Sequence, residues 1–169
     1  DGTQLWITRV EEEGANWIGG VDVDDQDAVL LAGYMDTPDV HRRMYLAKVS
    51  ESGVVQMSRA VSSGGADWEA RTVKVLDDGR ITVAGYTSEY GAGDRDVSML
   101  FLDPDGEYIS GPTYGGAQRD EAWSLDIAVD GAYYLAGSTR SFGPGAESYF
   151  VIRSDGDTLN GTVGSYNDP

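Results

Sequence analysis

Ala84-Gly85-Tyr86-Thr87, preceded by the Asp78-Gly79 turn and the apolar run 81–84, decides how this chain is read, because the phrase returns as Ala32-Gly33-Tyr34 and Ala136-Gly137-Ser138. The marker glycines stand 52 residues apart each time. A fixed period of that length marks stacked supersecondary units, each of which must bury its faces against its neighbours.

Working outward from the markers, residues 28–32, 81–84 and 132–136 are β-branched or aromatic and too short for helices, so they read as strands. Asp78-Gly79 and Asp130-Gly131 precede two of them as two-residue hairpin signals, since glycine tolerates positive φ; the first copy has Asp24-Asp25-Gln26-Asp27 instead. Upstream, 18–23, 72–76 and 124–129 read as inner partners. Gly/Pro-containing loops at 35–43, 88–95 and 140–147 lead to third strands at 44–49, 97–102 and 148–153. These end in Glu51-Ser52-Gly53, Asp103-Pro104-Asp105-Gly106 and Ser154-Asp155-Gly156, and more polar fourth strands follow at 54–61, 107–114 and 157–163. Gly2 falls in register with Gly53, Gly106 and Gly156, at spacings of 51, 53 and 50, so residues 3–10 read as an orphan fourth strand. The expectation is an all-β chain of thirteen strands: an orphan strand in 1–10, then four-stranded antiparallel units in 11–61, 62–114 and 115–169. No segment combines a 3.6-residue apolar period with capping chemistry, so helical content should be near zero.

Composition narrows the partners. With 29 acidic against 12 basic residues the net charge is −17, which argues against nucleic acid and anionic membrane surfaces. No apolar run reaches the roughly 18 residues of a membrane span, so membrane insertion is not expected. The chain starts without a basic-then-apolar leader and inside a repeat, which suggests a removed signal peptide or a longer parent. Twenty Asp to nine Glu, and two lysines to ten arginines, suit a protein kept soluble in concentrated salt, where screening acts over ~3 Å at 1 M; an ordinary acidic extracellular protein is the plainer alternative. Without cysteine there are no disulfides, thiolate metal sites or cysteine nucleophiles, and the core must hold the fold.

Written out in full, the unit resembles the secreted β-propeller repeats of archaeal and bacterial surface proteins, the seven-bladed-propeller repeat group. Gly64-Gly65, Asp78-Gly79, Ala84-Gly85-Tyr86-Thr87, Tyr90-Gly91-Ala92-Gly93, Asp103-Pro104-Asp105-Gly106 and Tyr114-Gly115-Gly116 carry the resemblance, with Ser141-Phe142-Gly143-Pro144-Gly145 in the third copy. The first copy departs from the pattern in its long loop, and only Trp6 keeps the fourth-strand tryptophan, with Met57, Ser110 and Asn160 at its place. The resemblance implies propeller-type blades, a secreted or cell-surface setting and no established catalytic activity. A propeller needs about 4 to 8 blades. Three leave the ring incomplete, so the chain is expected to belong to a larger propeller, to associate with copies of itself, or to stack openly with other chains.

Candidate chemistry is sparse. Asp22, Asp24, Asp25 and Asp27 offer oxygen ligands of the kind Ca²⁺ takes, but without the glycine and terminal glutamate of a calcium loop; a solvated acidic hairpin explains them as well. Asp94 and Asp96 with Asp103 and Asp105 are similar, the latter pair being natural turn formers. His41, the sole histidine, lacks a partner motif and reads as an exposed loop residue. Trp17, Trp68 and Trp123 lie near the start of each unit and read as packing aromatics between units, or as a platform for carbohydrate. Asn160-Gly161-Thr162 is an N-glycosylation sequon. No catalytic, cofactor or metal residue is assigned. The expected role is a non-catalytic structural or interaction module with protein partners at its sheet edges. The alternatives are a filament or surface-lattice subunit, and a piece of a propeller hydrolase or quinone-type dehydrogenase.

Overall fold

The computed structural model describes residues 2–10, 16–36, 38, 41–61, 65–143 and 146–155. The chain is all-β, with no helix among those residues. Three consecutive antiparallel sheets form, none closed into a barrel. The first runs β1 (Asn16–Val23), β2 (Val29–Asp36), β3 (Arg42–Val49) and β4 (Val55–Ala60), in that order. The second holds β5 (Trp68–Val75), β6 (Ile81–Thr87), β7 (Asp96–Leu102), β8 (Tyr108–Ser110) and β9 (Thr113–Tyr114). In the third, β10 (Asp120–Ile127), β11 (Tyr133–Thr139) and β12 (Ser148–Ser154) pair in sequence order.

Three details differ from expectation. Residues 3–10 join no ladder, although they dock where an orphan fourth strand belongs: the Trp6 indole N–H donates to the Glu51 carbonyl at 2.8 Å and the Thr8 hydroxyl to that of Gly53 at 2.5 Å. One period later Arg59 of β4 donates to the Asp105 carbonyl at 3.0 Å, so segment and strand hold the same kind of turn. The fourth strand of the second unit is split into β8 and β9, which pair with opposite ends of β7. Its counterpart at 157–163 lies outside the described residues. The hairpin loops have three residues, not two. Gly79 N–H bonds to Leu76 O and Leu76 N–H to Arg80 O, and the same pair of bonds closes the loops at 24–28, 50–54, 103–107 and 128–132. Such a loop is a type I turn followed by one left-handed residue. Gly53, Gly79, Gly106 and Gly131 fill that place at φ 77–82°, and Asp27 fills it in the first hairpin at φ 56°.

Burial is graded by position along the stack. Every residue of β6 and β7 is buried, because the central sheet is covered on both faces. Towards the first sheet, Ala70, Val73, Ile81, Val83, Leu100 and Leu102 pack with Leu30, Ala32, Met44 and Leu46. Towards the third, Ala84, Val97, Met99 and Phe101 meet Ala122, Leu125, Tyr133 and Leu135. Each fully buried aliphatic side chain stabilises by about 1.5–3 kcal/mol, so the two seams carry the fold.

Candidate functional site

The marker glycines owe their place to a defect in the neighbouring strand. Pairing between β5 and β6 slips between Ala70 and Thr72, leaving Arg71 as the extra residue of a bulge; Gly19 in β1 and Trp123 in β10 occupy the same step. Opposite each bulge the backbone presses so close that a Cβ on Gly33, Gly85 or Gly137 would lie 1.8, 1.9 or 2.0 Å from the carbonyl oxygen of Trp17, Glu69 or Glu121. Only glycine fits there.

The residues facing those glycines form a repeated latch. Glu69 and Glu121 are 52 residues apart and fully buried. Glu69 takes Arg42, from the start of β3 in the preceding sheet, and Arg71 Nη2 at 2.6 Å. Glu121 accepts from Arg95 Nη1 at 2.8 Å, from the residue before β7, and from Arg119 Nε at 2.7 Å. Each buried carboxylate thus ties an arginine of the sheet before it. Burial opposes the charge on Glu121, yet Arg119 and Arg95 hold its carboxyl below the usual range. Burial, and then the Glu69 carboxylate, push the Tyr86 phenol well above its usual range.

Arg71 joins all three sheets. Its guanidinium lies 4.9 Å from the Trp17 ring and 4.7 Å from that of Trp123, a cation–π sandwich between indoles that stay 41% and 49% exposed. Trp17 stacks on Tyr34 at 5.7 Å, Arg42 lies over Tyr34 at 4.5 Å, and Arg95 over Tyr86 at 4.4 Å. The ridge offers half-exposed aromatic faces between fixed cations.

The predicted site residues are dispersed. Asp22 Oδ2 accepts the Val75 N–H at 2.9 Å, binding first sheet to second. Asp24 caps its own turn through the Gln26 and Ala28 N–H groups and pairs with Lys48 at 2.7 Å; burial opposes its charge, but these contacts hold its carboxyl below the usual range. Asp25 and Asp27 are exposed. Asp103 accepts from Asp105 and Glu107 N–H as a turn former does, and Asp94 is exposed. Among the described residues no three His, Cys, Asp or Glu side chains converge as a metal group. His41 is partly exposed, its Nδ1 3.8 Å from Asp67 Oδ1. The tryptophans stand at three different steps of the unit: Trp17 at the latch glutamate's place, Trp123 at the bulge, and Trp68 in a cleft. That cleft, of about 480 Å³, is lined by Val61, Trp68, Tyr90, Leu100, Tyr108 and Thr113, among others; the Trp68 indole donates to Glu89 Oε2 at 2.8 Å. Asn160 lies outside the described residues. Glu69, Arg71 and Glu121 escaped the sequence reading because the inner strands were started at 72 and 124, past the bulge. The Glu-Ala pairs at 69–70 and 121–122, one period apart, were the signal.

Among the described residues, apolar side chains on the outer faces of the first and third sheets are exposed. Val97 and Met99, 1% and 0% exposed where the third sheet covers them, correspond to Tyr149 and Val151 in the third sheet, 95% and 73% exposed. Val73, 2% exposed beneath the first sheet, corresponds to Val21, which is 61% exposed. The latch is missing there too: Trp17 stands where the inner sheets have glutamate, and Glu147 where they have Arg95. No family model matches this chain, and no curated protein is similar to it.

Proposed function

We propose that this chain is a non-catalytic repeat module of a secreted or cell-surface protein, serving a structural or interaction role in which its end sheets stack on further sheets of the same kind. The observation carrying this is the exposure of Val21, Tyr149 and Val151 at positions whose counterparts inside the stack are buried. The occupant is a second copy of the chain, first sheet on third. Such a contact repeats the packing of the inner seams, and being head-to-tail it closes only if the rotation allows. Two copies supply six sheets, within the range of propeller rings. Without the arginine–glutamate latch at Glu147 and Trp17 the contact between copies is weaker than the inner seams, which fits reversible assembly. The Asp-rich surface supports a saline extracellular setting, where screening lets chains of charge −17 meet.

Sedimentation of the chain in 0.1 M and 2 M NaCl tests this. The expected result is association that strengthens with salt and is lost in Val151→Asp, while the variant keeps its fold. A monomer at both salt concentrations, or association indifferent to Val151→Asp, would refute it.

A further inference from the structure

Asp96 and Asp120 meet at the seam between the second and third sheets. A parallel bridge pairs Arg95 with Arg119, and the Asp120 N–H bonds to the Arg95 carbonyl at 2.7 Å, which sets the two following aspartates side by side. They are 1% and 2% exposed. Asp96 Oδ2 accepts the Gly93 N–H at 3.2 Å; Asp120 Oδ2 accepts the Gly116 N–H at 2.8 Å and the Ser141 hydroxyl at 2.6 Å. The remaining oxygen of each, Oδ1, is buried without a hydrogen-bond partner. The two carboxylates are neighbours across the Gly115 backbone, since a Cβ on Gly115 would lie 1.9 Å from Asp96 Oδ1 and 2.9 Å from Asp120 Oδ2.

Glycines pack closely against Asp96, for a Cβ on Gly91 would lie 2.1 Å from its Oδ2 and one on Gly115 1.9 Å from its Oδ1. The Gly116 and Ala117 carbonyls crowd Gly93 from the other side. The nearest arginines in sequence are committed elsewhere, since Arg95 and Arg119 both serve Glu121. Burial raises the Asp96 carboxyl, the Gly93 N–H opposes that, and the Asp120 charge adds to the rise. Two adjacent buried carboxylates, each with an oxygen that no hydrogen bond satisfies, favour a bound positive charge beside them.

We infer that Asp96 and Asp120 form a cation site between the second and third sheets, taking a hard, oxygen-seeking divalent ion of the Ca²⁺ type. Two carboxylates from different sheets, backbone carbonyls and water make the donor set such an ion accepts. The bound ion clamps the loops 91–96 and 115–120 together. The site is distinct from the acidic hairpin of Asp22 to Asp27, whose Asp22 and Asp24 are engaged in backbone and lysine contacts.

Calorimetric titration of the whole chain with CaCl₂ in 1 M NaCl, which screens surface charge over ~3 Å, tests this. The expected result is a one-site isotherm and, at a hundredfold excess over Kd, a rise in Tm of about 5–10 °C. Mg²⁺ at equal concentration should give a smaller rise, because it demands a tighter octahedral site. Asp96→Asn or Asp120→Asn should weaken Ca²⁺ binding at least tenfold and remove the rise in Tm, whereas Asp25→Asn with Asp27→Asn should leave both intact. A flat titration of the wild-type chain would overturn the inference whatever the variants do. Binding that survives both single substitutions, or that disappears with Asp25 and Asp27, would overturn it equally.

Discussion

Glu121→Ala probes whether the latch holds the second sheet to the third. The substitution removes the acceptor of Arg95 Nη1 at 2.8 Å and of Arg119 Nε and Nη2, both at 2.7 Å. Hydrogen bonds to charged groups contribute about 1.5–3 kcal/mol each. The two arginine side chains are 26% and 40% exposed, so they regain water in the variant and part of that contribution returns. A net loss of about 2–4 kcal/mol remains, equivalent to a Tm lower by about 5–15 °C for a chain of this size. Urea denaturation at fixed NaCl measures it. Because the folded-state carboxyl of Glu121 titrates below its unfolded value of about 4.3, its stabilisation is complete above that pH and drains away as pH falls through the lower, folded value. Wild type and variant should therefore differ fully at pH 7, and the difference should shrink as the pH falls below about 4.3. A loss under about 1 kcal/mol at pH 7, or a difference that persists unchanged to pH 2, would refute the reasoning. A double-mutant cycle with Arg95→Ala should give a coupling above about 1 kcal/mol.

Two further outcomes follow from the bulge. Gly85→Ala should destabilise by about 3 kcal/mol or more in urea, since its Cβ would meet the Glu69 carbonyl at 1.9 Å and backbone cannot step aside, whereas Gly131→Ala, in open space at φ 82°, should cost only the left-handed penalty of about 1–2 kcal/mol; equal costs would contradict the steric account. Arg71→Met keeps the stem but removes the cation between Trp17 and Trp123, so tryptophan fluorescence should shift and stability fall by about 1–3 kcal/mol, and unchanged emission would show that the sandwich does not persist in solution.

The ladder of strands was legible because its causes are local. The alternation of 81–84, the left-handed residue closing each hairpin and the return of Ala-Gly at a 52-residue period each depend on a few neighbouring residues. The register of Gly2 suggested a fourth strand at residues 3–10, whereas the structure shows no ladder there and docks the segment on the turn at Glu51 and Gly53. The latch was not legible, because Arg42 and Glu69 are 27 positions apart and meet only when two sheets face each other. Asp96 drew notice beside Asp94, its neighbour in sequence, while its neighbour in space is Asp120. The tryptophans stand 16, 17 and 14 residues before the marker glycines, so the sequence already set them out of register, while the roles of the three places came only from the packed sheets.

The order of residues alone determined that this protein is a tandem of three antiparallel sheets, with no helix among the described residues, because turn chemistry and a period-2 apolar pattern act within each unit. Tertiary structure decided the rest: which glutamates are buried, which arginines they hold, which two aspartates become neighbours, and that Val21, Tyr149 and Val151 are exposed on the outer faces of the first and third sheets. Equivalent residues such as Met99 and Val151 read alike in the chain, and they differ in exposure because, among the described residues, a further sheet covers Met99 and does not cover Val151.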